Sequence, residues 1–259
     1  MIHYYHAFLP PHFHLVNIVI IFFSGLVGEC VGAVVGGGSL FMMPALLFTG
    51  LPLQAAIATD NASALGTEVG ILSETYEKVM SNKKLLLVLT IPITVGGILG
   101  TWLLLNVSAT IIKYLMIVGI IFILGHTYFS KNKPNPASIS KSGYALLIVF
   151  LLIMGIYTNF IGIGQGTFGR IAVMSVLGLS FIQSQGLTST ATMPSRLYSL
   201  VVTSFAGLIV WPYLITLWCS NYLAGKYATK LVKHVPDNIM KTILTLLSIG
   251  FVIYLVFFY

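Results

Sequence analysis

The sequence has 259 residues, of which 57% are hydrophobic and only 7% are charged, and its formal net charge is +7. Soluble domains carry about 25% charged residues, so this composition excludes a soluble globular protein. In a soluble protein, the positive charge would suggest nucleic acid as a partner. Here most lysines lie in short connections between apolar segments, where membrane topology explains them, and we expect no nucleic-acid partner.

Long apolar stretches recur along the whole chain, and no segment between them is long enough to form a soluble domain. Several approach the roughly 20 residues that an α-helix needs to cross a hydrocarbon core of about 30 Å. The stretches comprise residues 15–35, 85–105, 111–129, 144–163, 197–211, 213–224 and 239–259. The sequence therefore predicts an all-α polytopic protein of a lipid bilayer.

The segment before the first apolar stretch is rich in histidine but contains no cysteine or carboxylate. Its histidines are His3, His6, His12 and His14. Cys30 and Cys219 each lie in an apolar stretch, so the sequence predicts no metal site, no disulfide and no cofactor. The segment also lacks the charged start and the cleavage site of a signal peptide, and we expect it to be retained.

A polar linker, residues 130–143, divides the chain near its midpoint. It separates a first membrane repeat, residues 1–129, from a second, residues 144–259. The two halves resemble each other weakly. The matching pairs are GGGSL (36–40) with GQGTF (164–168), and AIATDNAS (56–63) with QGLTSTAT (185–192). Internal duplication of this kind is typical of secondary transporters.

Basic and uncharged connections follow in opposite order in the two halves. The first half has its basic connection before the uncharged residues 106–110, whereas the second has the uncharged residues 206–213 before its basic connection. The lysines concerned are Lys78, Lys83 and Lys84 in the first half and Lys226, Lys230 and Lys233 in the second. Basic connections lie on the cytoplasmic side of a membrane, so all of them can do so only if the halves are inverted.

The predicted fold is therefore two inverted-topology repeats, each with three full spans and one broken or re-entrant element. Lys131, Lys133 and Lys141 place the linker on the cytoplasmic side as well. Both termini would then be extracytoplasmic.

Two glycine-rich breaks interrupt apolar stretches at matching places in the halves. Backbone that is not helical is tolerated at membrane depth only where it is buried in protein or lines a cavity. Ser39 and Thr167 follow the breaks as N-cap candidates, and new helices starting there would direct N–H groups and the positive dipole end at an anion. The predicted substrate-binding residues at the breaks are Gly36, Gly37, Gly38, Ser39, Gly164, Gln165, Gly166 and Thr167. The alternative is that the glycines only allow helices to pack closely.

Two tracts of small polar residues, 58–68 and 188–196, follow the breaks. Hydroxyl and amide side chains are costly in lipid, and in these tracts they could donate hydrogen bonds to an oxyanion. We predict that Thr59, Asn61, Thr188 and Ser189 bind the substrate. Hydrogen bonding between helices is the alternative.

Three acidic residues and the only two arginines of the chain lie within the apolar region, where ionisable residues are functional candidates. They are Glu29, Asp60 and Glu68 in the first half and Arg170 and Arg196 in the second. We predict that Arg196 binds the anion, and it could pair with Asp60 until the substrate arrives. Glu29 and Asp60 are candidates for proton coupling or charge balance. For Arg170 and Glu68 a water-facing or interfacial position is the alternative.

These motifs resemble the sulfite exporter TauE/SafE family over nearly the whole chain. Residues 36–67 resemble its first repeat, with a glycine run, a proline, GLP and a threonine in a small-residue tract. Residues 155–170 and 177–211 resemble its second repeat, although Gln185-Gly186-Leu187 departs from the usual pattern. The positions that match the family pattern are Gly36 to Ser39, Pro44, Thr59, Asn61, Gly164, Gly166, Thr167 and Thr188.

The resemblance implies a permease of the cytoplasmic membrane for small anions such as sulfite, sulfoacetate or related organosulfonates. It also implies coupling to the proton gradient. Alternating access around a site in the middle of the membrane would carry the substrate across.

Two other classes of function are open to the same residues. An anion or ion channel could use the paired breaks as its filter. An intramembrane hydrolase could use Ser39 or Ser63, but an activated serine needs a base within hydrogen-bond reach, and His126 ends a different span. We therefore expect no enzyme activity.

Overall fold

The computed structural model describes residues 14–34, 37–129, 141–163, 165–231, 237–257 and 259. These residues form ten α-helices. They are α1 (Leu15–Val34), α2 (Ser39–Phe48), α3 (Leu53–Met80), α4 (Lys83–Asn106), α5 (Ala109–Phe129), α6 (Lys141–Phe160), α7 (Gln165–Leu177), α8 (Phe181–Phe205), α9 (Trp211–Leu231) and α10 (Asp237–Phe257). The prediction of an all-helical protein is confirmed for this part of the chain.

The helices of the two halves follow the same order of lengths. In each half a long helix is followed by a short one, α2 with 10 residues or α7 with 13, and then by three long helices. An α-helix needs roughly 20 residues to cross a bilayer, so α2 and α7 reach only part of the way. Between α5 and α6, residues 130–140 of the predicted linker lie outside the described part of the chain.

In the described part of the chain, three helical segments are long and apolar enough to cross a membrane: Leu15–Gly32, Lys83–Asn106 and Gly143–Phe160. α3 and α8 carry the polar tracts, which lower their mean hydropathy, and most of these polar side chains are buried inside the protein. Large apolar side chains such as Leu146 and Phe205 are instead exposed on the outer surface, as lipid contact requires. The chain is a multi-pass membrane protein.

Helix contacts relate the two halves to each other. α1 packs on α9, α9 on α3, α3 on α8, α8 on α4, and α4 on α6. If each helix is replaced by its counterpart in the other half, the same set of contacts results. The two helices with polar tracts, α3 and α8, meet at the middle of this series.

Glycines allow several of these helices to touch through their backbones. A methyl group added at Gly96 of α4 would overlap the carbonyl oxygen of Leu152 in α6, and one at Gly66 of α3 would overlap that of Trp218 in α9. Glycine therefore allows close packing of α4 on α6 and of α3 on α9.

At the first break, Gly37 has a φ of 84° and α2 begins at Ser39. The residue that caps α2 is Gly38, in a helical conformation and without a side-chain hydrogen bond. The prediction that Ser39 is an N-cap is therefore wrong, because Gly38 already continues the helical backbone. Gly36 lies outside the described residues.

At the second break, α6 ends at Phe160, Gly162 has a φ of 82°, and α7 begins at Gln165. Both Gly162 and Gly37 adopt the left-handed conformation, which glycine enters without the steric cost of a side chain. Thr167 lies inside α7, so its prediction as an N-cap is also wrong. Gly164 lies outside the described residues.

Candidate functional site

A cavity of about 110 Å³ lies between the two breaks and the facing sides of α3 and α8. One water needs roughly 10–15 Å³ of such space, so the cavity has room for a small ion of several heavy atoms. Its polar lining includes Glu29, Gly37, Gly38, Ser39, Thr67, Glu68, Thr158, Gly162, Arg170, Gln185, Thr188, Ser189, Thr192 and Arg196. Apolar side chains of α3, α4 and α6 complete the wall.

α8 presents one face to this cavity. The lining residues of α8 are Gln185, Thr188, Ser189, Thr192 and Arg196. Apart from the adjacent pair Thr188 and Ser189, they are three or four residues apart, the spacing that places side chains on one side of a helix. On α3 the same spacing relates Ala64, Thr67, Glu68 and Ile71. Each long polar helix thus contributes one stripe of side chains.

The strongest interaction between the two stripes is a buried ion pair. Arg196 Nε donates a hydrogen bond of 2.6 Å to Glu68 Oε1, and the two side chains are only 5% and 6% exposed. Thr192 Oγ1 donates to the same carboxylate oxygen at 2.5 Å. The sequence suggests Asp60 as the partner of Arg196. The structure corrects this suggestion, because the partner is Glu68. Glu68 is buried in the protein rather than water-facing.

Asn61 supports the other side of the same guanidinium. Arg196 Nη1 donates to the backbone oxygen of Asn61 at 2.8 Å and to its Oδ1 at 3.3 Å. Asn61 Nδ2 in turn donates to the backbone oxygen of Asn159, beside the second break, at 3.3 Å. Asn61 therefore connects α3, α6 and α8, although it is not among the described residues that line the cavity.

Thr59 and Asp60 also lie outside the lining of the cavity. Thr59 Oγ1 accepts a hydrogen bond of 3.3 Å from the backbone N–H of Val210, just before α9. Asp60 is buried, and its carboxyl group lies beside the hydroxyl of Ser39. The structure therefore brings Ser39, Thr188, Ser189 and Arg196 together around the cavity, with Thr59 directed elsewhere.

Glu29 lies against the first break. A methyl group added at Gly38 would lie 2.9 Å from the backbone oxygen of Gly28 and 3.0 Å from Glu29 Oε1, so glycine allows α1 to pack closely against this break. The charges that act on Glu29 come from Asp60, Arg196 and Glu68. The first break therefore combines a bent backbone with a cluster of acidic side chains.

Arg170 is buried, which corrects the water-facing position considered for it. Its guanidinium carbon lies 4.7 Å from the centre of the Phe181 ring, at the start of α8. The side chains of Gln165 and Thr167, also predicted to bind substrate, lie outside the described part of α7, as does that of His126 in α5.

The sequence model of one protein family, "Sulfite exporter TauE/SafE", matches residues 21–255. The chain belongs to the sulfite exporter TauE/SafE family. Every described residue that lines the cavity falls within the matched region.

Curated relatives of this TauE/SafE protein carry the names of transporters. A "Probable membrane transporter protein" of Haemophilus influenzae is 25% identical over 234 residues, 89% of this chain and 91% of that protein. "Probable membrane transporter protein ORF9" of Sinorhizobium sp is 23% identical over 245 residues, covering 93% and 92%. "Probable membrane transporter protein YfcA" of Escherichia coli K12 is 21% identical over 237 residues, covering 88% and 86%. No solved structure matches the chain.

Sequence reasoning missed several lining residues of this TauE/SafE protein. Gln185 is fully buried, and neither its amide nitrogen nor its amide oxygen has a hydrogen-bond partner among the described residues. Thr67 and Thr192 also line the cavity. Gln185, Thr188, Thr192 and Arg196 follow helical spacing, so a search for one polar face on α8 could have found them.

No group of three or more His, Cys, Asp or Glu side chains in the described part of the chain is placed to hold a metal ion. His3, His6 and His12 precede the described residues. The polar side chains that line the cavity carry hydroxyl, amide, carboxyl and guanidinium groups.

Proposed function

We propose that this TauE/SafE protein is a secondary transporter that moves a small anion, sulfite or an organosulfonate, across the cytoplasmic membrane. The observation that carries the proposal is the guanidinium of Arg196 in the cavity. Its Nε and Nη1 donate to Glu68 and Asn61, whereas no described residue accepts from Nη2. An arginine side chain has five N–H donors, so two of them are free for an oxyanion.

The neighbours of Arg196 suit the same ligand. Ser39, Thr188 and Ser189 bring hydroxyl groups to the cavity, and Gly37 and Gly38 bring backbone that has no side chain in the way. We assign Thr59 and Asn61 a supporting role, because Thr59 bonds the start of α9 and Asn61 holds Arg196. Gly36, Gly164, Gln165, Gly166 and Thr167 stay predicted contacts of the substrate.

The balance of charge favours coupling to protons. Glu29, Asp60 and Glu68 bring three carboxyl groups to this region, against the two guanidinium groups of Arg170 and Arg196. An anion that enters adds further negative charge. A proton carried by Glu29, with Asp60 as its acidic neighbour, would offset that charge, and movement of the proton with the anion would couple transport to the proton gradient.

The apolar packing favours a carrier over a channel. A large buried cluster, which includes Leu104, Leu208 and Val210, lies next to the uncharged connections of both halves. A smaller one, which includes Val79 and Leu89, lies next to the basic connection between α3 and α4. We interpret the larger apolar cluster at one end as a sign of one state of an inverted-repeat transporter, in which the extracytoplasmic side is closed. Both termini would lie on that side.

Sulfite flux into proteoliposomes tests the role of Arg196. We expect saturable sulfite flux for the wild type. For Arg196→Gln we expect the ratio of maximal flux to half-saturating sulfite concentration to fall at least tenfold, because a charge-assisted hydrogen bond contributes about 1.5–3 kcal/mol. Lys113→Gln is the matched control, since Lys113 is an intramembrane cation of α5 outside the cavity lining. Equal flux for wild type and Arg196→Gln would remove the arginine from the site, and large single-channel currents would favour a channel.

The same vesicles test proton coupling. For Glu29→Gln we expect exchange of labelled for unlabelled sulfite to persist while acceleration by an imposed pH gradient disappears. Glu77→Gln, an exposed carboxyl on α3, serves as the control. If the Glu29 variant still responds to the pH gradient like the wild type, Glu29 does not carry the proton.

A further inference from the structure

The lining face of α8 is longer than one small anion needs. Gln185 and Arg196 lie at its two ends, and a rise of 1.5 Å per residue separates them by about 16 Å along the helix. An anion bound to Arg196 therefore leaves the Gln185 end of the cavity uncontacted. One anion at Arg196 therefore does not account for the polar groups at the Gln185 end of the cavity.

Gln185 is the most informative of these groups. It is 0% exposed and lines the cavity, yet both ends of its amide lack hydrogen-bond partners among the described residues. A buried polar group without a partner costs about 1–3 kcal/mol. A ligand or a water that enters the cavity can satisfy this amide, and the amide N–H groups suit the oxygen of an anion.

A buried cation lies at the same level of the cavity. Arg170 also lines the cavity, and its guanidinium carbon lies 4.7 Å from the centre of the Phe181 ring. Phe181 is one helical turn before Gln185, and helical side chains lean towards the N-terminal end, so Gln185 points towards this turn. Arg170 and Gln185 therefore bring a positive charge and an amide donor to one end of the cavity.

This end lies on the side of the basic connections. Gly186, the neighbour of Gln185, faces the last turns of α3, since a methyl group there would lie 2.7 Å from Thr75 Oγ1 and 2.9 Å from Val79 Cγ2. α3 ends at Met80, and Lys83 and Lys84 follow at the start of α4. Basic connections of this kind lie on the cytoplasmic side.

We propose that Gln185 and Arg170 form a second binding position for the transported oxyanion, at the cytoplasmic end of the cavity. The inference rests on the proposed function. An anion from the cytoplasm binds first to the Gln185 amide and the Arg170 charge. It then passes the hydroxyl groups of Thr188 and Ser189 to reach Arg196, or follows the same path in reverse.

Sulfite flux measured from each side separately tests this position. Membrane vesicles are prepared in inside-out and right-side-out orientations from cells that make the wild type, Gln185→Met or Gln185→Glu. For Gln185→Met we expect half-saturation by sulfite to rise about tenfold in inside-out vesicles, which expose the cytoplasmic face, and to stay within about twofold in right-side-out vesicles. Gln185→Glu keeps the shape but adds a negative charge, so its effect on the same side is larger.

Thr190→Val is the matched control on α8, because Thr190 bonds only to its own helix, through the backbone oxygen of Gly186, and does not line the cavity. Arg196→Gln should impair flux from both sides. Unchanged half-saturation for both Gln185 variants, or equal changes from the two sides, would overturn the second position while the loss in Arg196→Gln leaves the proposed function standing. Wild-type vesicles that carry neither sulfite nor an organosulfonate such as sulfoacetate in either orientation would overturn both.

Discussion

The two halves of the molecule match in helix order and in packing, but they supply opposite charges to the cavity. Glu29 and Glu68 come from the first half, whereas Arg170 and Arg196 come from the second. A fully two-fold site would place like charges near each other inside the membrane, which is unfavourable. Corresponding helices of the two halves thus surround one cavity, and the difference in charge between the halves lets an acid of one neutralise a base of the other.

Another difference between the halves separates two threonines that occupy matching positions in the sequence. Thr188 lies in the cavity, and its hydroxyl donates to the backbone oxygen of Ser184 in its own helix at 2.7 Å. Thr59 faces the start of α9 instead. The lining face of α3 begins later, at Ala64, so the two matching threonines lie in different surroundings.

The largest effect should come from breaking the pairing of charges between the halves. Glu68→Leu leaves the guanidinium of Arg196 buried without its carboxylate, and we expect the free energy of unfolding to fall by about 3–5 kcal/mol. The double variant Glu68→Leu/Arg196→Leu buries no charge at this place and should recover most of that loss. Denaturant unfolding in detergent provides the measurement, and a double variant as unstable as the sum of the single ones would contradict the pairing.

An intermediate effect should distinguish equivalent helix contacts. α6 of the second half meets α4 of the first half at Gly96, where an added methyl group overlaps a backbone oxygen, so Gly96→Ala should cost about 1–3 kcal/mol of stability. In the corresponding contact, α1 of the first half meets α9 of the second half at Gly25, where the neighbouring atoms belong to the side chains of Ser220, Asn221 and Leu217, which can move. We expect Gly25→Ala to cost less.

Gly250→Ala is the control for this comparison, because nothing lies within 4 Å of a methyl group at Gly250. Midpoints of thermal unfolding in detergent should rank Gly96→Ala below Gly25→Ala, and Gly25→Ala below Gly250→Ala. The reverse order of the first two would show that the two contacts do not differ as the structure describes them.

The smallest effects should separate the two threonines. Thr59→Val loses one buried hydrogen bond and should lower stability by about 1 kcal/mol while half-saturation by sulfite stays unchanged. Thr188→Val should raise half-saturation roughly three- to tenfold, because Thr188 lines the cavity that we propose as the binding site. Flux and unfolding are measured on the same preparations, and the assignment fails if the two variants exchange their effects.

Much of the architecture can be read from the sequence. Apolar stretches of membrane-spanning length, the polar linker and the repeated glycine pattern predict an all-helical membrane protein in two related halves, because the bilayer demands helices wherever the chain crosses it. Gly50 and Gly178, at matching positions, both take positive φ values, 83° and 63°, between a short helix and a long one. Local backbone requirements of this kind can be predicted from the residue type.

The partners of individual side chains depended on the tertiary structure. The sequence places Asp60 and Glu68 in one polar tract as acids that could face Arg196, but each residue turns the direction of a helical side chain by about 100°. The rotation of α3 about its own axis, which is fixed by close contacts such as that of Gly66 with α9, decided that Glu68 meets Arg196. The same rotation placed Asp60 beside Ser39. It also directed the hydroxyl of Thr59 to the backbone at the start of α9. Residue types determined which helices would be polar, and packing between helices determined which of their faces form the cavity.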